Sequence, residues 1–209
     1  MSRNDARFWD RIACKYAADP IADLEGYERT LAAVRPHLQG RVAFEFGCGT
    51  GTTALKLAPH SARYIATDIS DAMIAIARQR ALAEGGSKAE FAVGAADAAP
   101  VQAESVDVAL AFNVLHLIEA RAQALASVHR MLKPDGLFIS KTPCLKEMNP
   151  LIGLAVPVMQ AFGRAPYVAF FSAQQLEQDI KAAGFEIVER ARHGSKPNEK
   201  RIFLSARKL

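Results

Sequence analysis

The run Val42-Ala43-Phe44-Glu45-Phe46 passes directly into Gly47-Cys48-Gly49-Thr50-Gly51, and this junction constrains the fold more than any other stretch. A short apolar run of this length, bounded by a turn signal, reads as a buried strand. Glycines at alternate positions let the backbone turn tightly and leave no side chain between it and a ligand. The acidic Glu45 just ahead of the turn favours a cationic ligand group over a phosphate.

Strands and helices alternate from residue 41 onward. Residues 64–67, 90–93, 106–112 and 137–142 read as further strands. Ser70 or Asp71 opens a helix that runs to about Glu84, where Gly85-Gly86 ends it. Leu125, Val128, Met131 and Leu132 give residues 120–132 one apolar helical face, and Lys133-Pro134-Asp135-Gly136 predicts a turn after it. Repeated β-then-α units with apolar strands imply a parallel sheet covered by helices on both faces. The rhythm breaks near the end of the chain. A helix over 173–183 opens with the capping box Ser172…Gln175, and residues 185–190 and 201–206 follow with no room for a helix between them. These two strands must therefore pair antiparallel. Residues 1–40 are helical and precede the first strand, which makes them a cap on a single 209-residue domain.

Half the residues are hydrophobic, 23% are charged and the net charge is +4, the balance of a soluble globular protein. Lys196, Lys200, Arg201, Arg207 and Lys208 read as a solvated hairpin, giving no strong nucleic-acid signal. Cys14, Cys48 and Cys144 lack metal-ligand spacing and read as reduced thiols, so no metal is expected. The first residues lack a secretory apolar segment. The longest apolar stretch, 151–163, contains Pro157 and is too short to span a bilayer, although peripheral membrane contact stays open. The expectation is a cytoplasmic protein of open oligomeric state.

A parallel sheet of this kind binds ligands beyond the carboxyl ends of its strands. The glycine turn lies there, and so does Asp68, 21 residues after Gly47. A carboxylate at that position can accept both hydroxyls of a ribose. Two nucleoside cofactors compete. The dinucleotide fingerprint places its third glycine three residues after the second, where this chain has Thr52. An acid beside a pyrophosphate is also unfavourable, whereas it suits an ammonium or sulfonium.

Residues 41–51 resemble the first motif of the class I S-adenosylmethionine-dependent methyltransferases, and Ala66-Thr67-Asp68-Ile69-Ser70-Asp71-Ala72-Met73 resembles their second. The stretches 105–113 and 131–139 resemble their fourth strand and the entry to their fifth. The resemblance implies a Rossmann-like, doubly wound, seven-stranded, mostly parallel α/β sheet whose last strand is antiparallel, with S-adenosyl-L-methionine as cofactor. It implies that Gly47, Cys48, Gly49 and Gly51 surround the methionine portion with Glu45 near its amino group. Asp68 would hold the ribose, Ile69 and Met73 would flank the adenine, and Phe112 or Asn113 would face the methionine end. The family's acid after strand three has no match at Ala95, so either Asp97 or the backbone at Ala95–Ala96 would meet the adenine amino group.

Methyl transfer from a sulfonium needs chiefly alignment, and a base only for a protonated nucleophile. His116, just past strand four, is the candidate base and a candidate substrate contact; its other reading is a residue of the cavity wall. The proline pair that marks enzymes acting on nucleobase amines or glutamines is absent from 112–115. Residues 144–171 occupy the place of a substrate-covering element. There Leu151, Leu154, Ala155, Val158 and Phe162 line one helical face and Ile152, Val156 and Met159 the other, which suits either core packing or a lid over a lipophilic substrate. Thr142, Tyr167 and Phe171 are the further substrate candidates. The segment 8–16 resembles the leading helix of the quinone-biosynthesis and related small-molecule branch, which folds over the cofactor, and Tyr16 would reach the methionine carboxylate. The expected function is methyl transfer to a small apolar or amphipathic molecule. A non-catalytic S-adenosylmethionine sensor and an NAD-dependent oxidoreductase are the alternatives.

Overall fold

The computed structural model describes residues 3–97, 99, 101–148, 151–196 and 199–209. Seven strands form one sheet in the order β3-β2-β1-β4-β5-β7-β6. They are β1 (Val42–Phe46), β2 (Arg63–Asp68), β3 (Ala89–Val93), β4 (Val106–Phe112), β5 (Leu132–Pro143), β6 (Phe185–Ala191) and β7 (Arg201–Lys208). The first five run parallel, and β7 is antiparallel to both β5 and β6. The expected C-terminal pairing therefore stands, because the link between β6 and β7 is too short for a helical crossover.

Both faces of the sheet are buried, and the alternation along β1 divides the core. Phe44 and Phe46 join Ala109, Ala111 and Phe138 on one side, covered by Leu125 and Val128 of α5 (Arg121–Met131) and by Leu176 and Ile180 of α7 (Ala173–Ala182). Ala43, Tyr64, Ala66, Val108 and Leu110 face the other way. They meet Leu31 and Val34 of α2 (Leu24–Val34), Leu55 and Leu57 of α3 (Thr52–Leu57), and Ile74 and Ala77 of α4 (Asp71–Ala83). The period-2 pattern thus places helices on both faces. Ser70 is the N-cap of α4, its hydroxyl accepting from the Met73 amide, and Ser172 and Gln175 form the capping box of α7.

Two expectations change. Residues 133–136 are not a turn ahead of the fifth strand but part of β5 itself. The strand begins at Leu132, opposite Val106, and a bulge with Asp135 at φ 60° restores the pairing at Leu137 opposite Val108. A turn-forming tetrapeptide is absorbed because an edge of extra residues can bulge from a parallel ladder without ending it. The helix α6 (Leu151–Ala161) exists, but it is not core. Leu151, Val158, Met159 and the following Phe162 are exposed. No helix among the described residues is long and apolar enough to cross a membrane.

The glycine turn is packed from behind. Gly51 has φ 78°, and a Cβ there would sit 2.9 Å from the Ala77 Cβ and 3.0 Å from the Phe91 ring. Gly51→Ala should therefore lower the unfolding free energy by about 3 kcal/mol, combining left-handed strain with overpacking. Urea denaturation measures this, and a loss within error of zero would show that α4 yields freely.

Candidate cofactor site

The site is built where β1, β2 and β4 end. Gly47 and Gly49 have φ of 67° and 55°, so the backbone between them curls with its amides turned toward the strand ends. The Asp68 carboxylate holds that curl. One oxygen accepts from the Gly49 amide at 2.9 Å and the other from the Ser70 amide at 3.0 Å. The Cys48 amide bonds the Thr67 carbonyl and the Gly94 amide bonds the Asp68 carbonyl, tying the turn and the end of β3 to β2. Burial raises the Asp68 pKa, and its backbone amides act against that rise.

A cleft opens above this curl. Gly47, Gly49, Asp68, Ile69, Met73, Ala96, Phe112, Asn113 and Tyr16 are among its lining residues, as expected of them from the sequence. Asn113 sits at φ 53°, a left-handed conformation that asparagine tolerates, and its amide donates to the Lys141 carbonyl at 2.8 Å. Glu45, Cys48, Gly51 and Asp97 are not in the lining. The Cys48 thiol is turned into the core and its pKa is raised by burial. Gly51 closes against α4, Asp97 is exposed, and past β3 the cleft is bordered instead by Gly94, Ala95 and Ala96. Glu45 is buried beneath the turn, where the Tyr64 hydroxyl donates to it at 2.8 Å.

The substrate candidates are not brought to the cleft. Val114 and Leu117 line it, but His116 between them does not. Its Nδ1 is buried without a hydrogen-bond partner, and burial pulls the ring down to about 4, below the range of a base matched to neutral pH. Thr142 is wholly buried in β5. Tyr167 and Phe171 line a separate groove, where the Arg121 guanidinium stands 4.3 Å from the Phe171 ring centroid. The Ala169 amide donates to the His116 carbonyl at 2.7 Å, tying that segment to the loop after β4.

Sequence reasoning does not single out Trp9, Asp10 or Arg80, which complete the site. Helix α1 (Arg3–Ala18) lies over the cleft, and Trp9 and Tyr16 line it with their rings edge to face at 6.2 Å. Burial, then Asp68 and Glu45, raise the Tyr16 pKa. The Asp10 carboxylate accepts from the Ser70 hydroxyl at 2.6 Å and the Ala72 amide at 3.1 Å, docking α1 on the N-terminus of α4. Arg80 of α4 donates to the Ala17 carbonyl, at the other end of α1, and to the Thr50 and Thr52 hydroxyls. The resemblance of segment 8–16 to a leading helix that folds over the cofactor anticipates this packing, and the four-residue spacing of Phe8, Ile12 and Tyr16 is consistent with it; neither names the individual partners. The cleft under α1 holds about 70 Å³, well below the roughly 300 Å³ of a small-molecule pocket. The cleft as it stands, with Trp9 and Tyr16 among its lining, is therefore narrower than a nucleoside-sized ligand.

Residues 44–140 match a family model described as a methyltransferase domain. Over this stretch the chain is similar to methyltransferase domains. It is 25% identical over 215 residues to a ubiquinone biosynthesis O-methyltransferase of Saccharophagus degradans, covering 99% of this chain and 88% of that one. It is 30% identical to the uncharacterized methyltransferase YcgJ of Bacillus subtilis over 66% of this chain and 58% of that one. The chain spans about half the length of the first curated relatives of similar description. A solved S-adenosylmethionine-dependent methyltransferase of Thermotoga maritima superposes with a TM-score of 0.74 at 21% identity, covering 98% of this chain and 100% of that one, a likeness of fold.

Two outcomes follow from this geometry. Burial lifts Glu45 from 4.5 to about 7, so the folded protein keeps this proton to higher pH than the unfolded chain does. Stability is lost as pH rises from 4.5 to about 7 and stays lost above it. Glu45→Gln should remove that slope, and urea denaturation near pH 8 should find it more stable than the wild type by on the order of 3 kcal/mol. A gap of equal size at low pH would show a different origin. Hydrogen exchange across residues 5–18 should slow when S-adenosylhomocysteine binds, and Asp10→Ala should speed it in the free protein. Unchanged exchange in both experiments would remove α1 from the site.

Proposed function

We propose that this chain catalyses methyl transfer from S-adenosylmethionine to a small amphipathic molecule. The observation that carries the reading is the contact between the Asp68 carboxylate and the Gly49 amide at 2.9 Å, which joins a ribose acceptor to a bare backbone curl in one cleft. The residues present fit the cofactor. A Cβ at Gly47 would collide with Val114 at 2.4 Å, and one at Gly49 would fill the approach toward Tyr16, so the curl stays open only because both are glycines. Asp68 would take the ribose hydroxyls, Ile69 and Met73 would flank the base, and the curl with Tyr16 would hold the amino-acid end.

When bound, S-adenosylmethionine would supply an electrophilic methyl group to the acceptor's lone pair and leave as S-adenosylhomocysteine. The protein's part is alignment and exclusion of water. Asn113 stands at the end of β4 with its backbone held by β5, a rigid position from which to orient an acceptor. Trp9 and Tyr16 cover the reacting end. His116, off the lining and titrating near 4, is not needed for an acceptor that reaches the site already deprotonated. The relatives that act in ubiquinone biosynthesis support a small-molecule acceptor.

Asp68→Asn should weaken S-adenosylhomocysteine binding by about tenfold or more in calorimetry, the cost of a charged hydrogen-bond acceptor. Incubation of the wild type with methyl-labelled S-adenosylmethionine and a metabolite extract should place label in a low-mass product. Cofactor binding with no labelled product would favour the sensor reading.

A further inference from the structure

Beside the cofactor cleft lies a second cavity of about 600 Å³. The two share Tyr16, Phe112 and Asn113. Tyr27, Thr30, Lys141 and Arg201 line this cavity and not the cleft. Lys141 is only 6% exposed. Its Nζ donates to the Thr30 hydroxyl at 2.9 Å and to the Gly26 carbonyl at 3.3 Å. An ammonium has three N–H groups, so one is free for a ligand in the cavity that the side chain lines.

Neutral oxygens are poor compensation for a buried cation. Among the described residues no carboxylate forms an ion pair with Lys141, and the acids nearest to it are engaged elsewhere. Glu199 is gripped by the Arg201 guanidinium, Nε at 3.0 Å and a terminal nitrogen at 2.8 Å. Asp23 accepts from the Gly26 and Ser195 amides at 3.0 Å each, and these bonds, led by those from Ser195, hold it down at about 2. Arg29, the remaining cation facing Lys141, is paired with Glu25. Asp19 lies at the exposed rim. Arg80, also in the lining, likewise donates only to neutral oxygens, those of Ala17, Thr50 and Thr52. Among the described residues this cavity thus carries two cations, Lys141 and Arg80, without acidic hydrogen-bond partners, and burial, then Arg201, draw the Lys141 pKa down. A bound anion would reverse that effect. Tyr16, Tyr27 and Phe112 supply aromatic lining to the same cavity.

We propose that this cavity is the acceptor subsite and that Lys141 receives an anionic oxygen headgroup, a carboxylate or a phosphate, on a small aromatic acceptor. This rests on the reading of the adjoining cleft as the methyl-donor site. It replaces the substrate contacts expected at Thr142, Tyr167 and Phe171, which lie outside this cavity's lining.

Calorimetry of the full chain saturated with S-adenosylhomocysteine tests it with 4-hydroxybenzoate, phenyl phosphate and the neutral 4-hydroxybenzamide. At least one anion should bind about tenfold more tightly than the amide, and the stronger of the two identifies the headgroup. Lys141→Met should abolish the preference and Lys141→Arg should keep part of it, with S-adenosylhomocysteine affinity unchanged in both. If Lys141→Met does not fold, Lys141→Gln, which retains a polar contact to Thr30, carries the same comparison. Equal binding of acid and amide, a preference that survives loss of Lys141, or no anion binding at millimolar concentration overturns the proposal. The titrations repeated without S-adenosylhomocysteine separate the two readings. A wild type that prefers the anion but ignores S-adenosylhomocysteine would sink the methyl-donor reading and leave the anion site standing.

Discussion

The carboxylate of Asp68 is the point on which the site turns. It bonds the Gly49 amide on one side and the Ser70 amide on the other, so the end of β2, the glycine curl after β1 and the cap of α4 share one anchor. Asp10 reaches the same cap through the Ser70 hydroxyl. Two acids are therefore arranged around one helix N-terminus, where backbone N–H groups and the helix dipole favour negative charge. Burial raises the Asp68 pKa, as Asp10 also does to a smaller extent, while the amides oppose both. A ribose would meet a carboxylate whose orientation is already fixed, so little ordering remains to be done on binding.

Much of the sheet was legible because buried parallel strands write themselves as short apolar runs, and the glycine turn and Asp68 follow from what a strand end must do to meet a ligand. The antiparallel close of the sheet could be read from the lack of room for a helix between residues 191 and 201. The bulge in β5 was not legible: Lys133-Pro134-Asp135-Gly136 has the chemistry of a turn, and only its neighbour β4 decides that the ladder resumes. The exposure of α6 was equally hidden, since an apolar helix carries no mark of which partner it lacks.

The lining of the site divides along the same line. Gly47, Gly49, Asp68 and Ile69 sit in local motifs and could be named in advance. Asp10, Arg80 and Lys141 act through partners about 30 to more than 100 residues away, such as Ser70 for Asp10, Thr50 for Arg80 and Thr30 for Lys141, and no local pattern encodes those pairings. His116 shows the converse error. Its place in the motif invited a chemical role, but the 3₁₀ turn Leu115–Leu117 carries it off the cleft lining.

The docking of α1 has a consequence for how the molecule is made. Its contacts are with α4, through Ser70, Ala72 and Arg80, and with residues as distant as Gly163, whose carbonyl takes a hydrogen bond from Arg11. This helix leaves the ribosome before its anchors, which are translated some 60 to 150 residues later. Contacts of such sequence separation close late, after the entropy of long loops has been overcome. Until then the nascent chain carries Phe8 and Trp9, partly buried in the folded protein, with less to cover them, so the segment that finishes the binding site is also the one that a chaperone would meet.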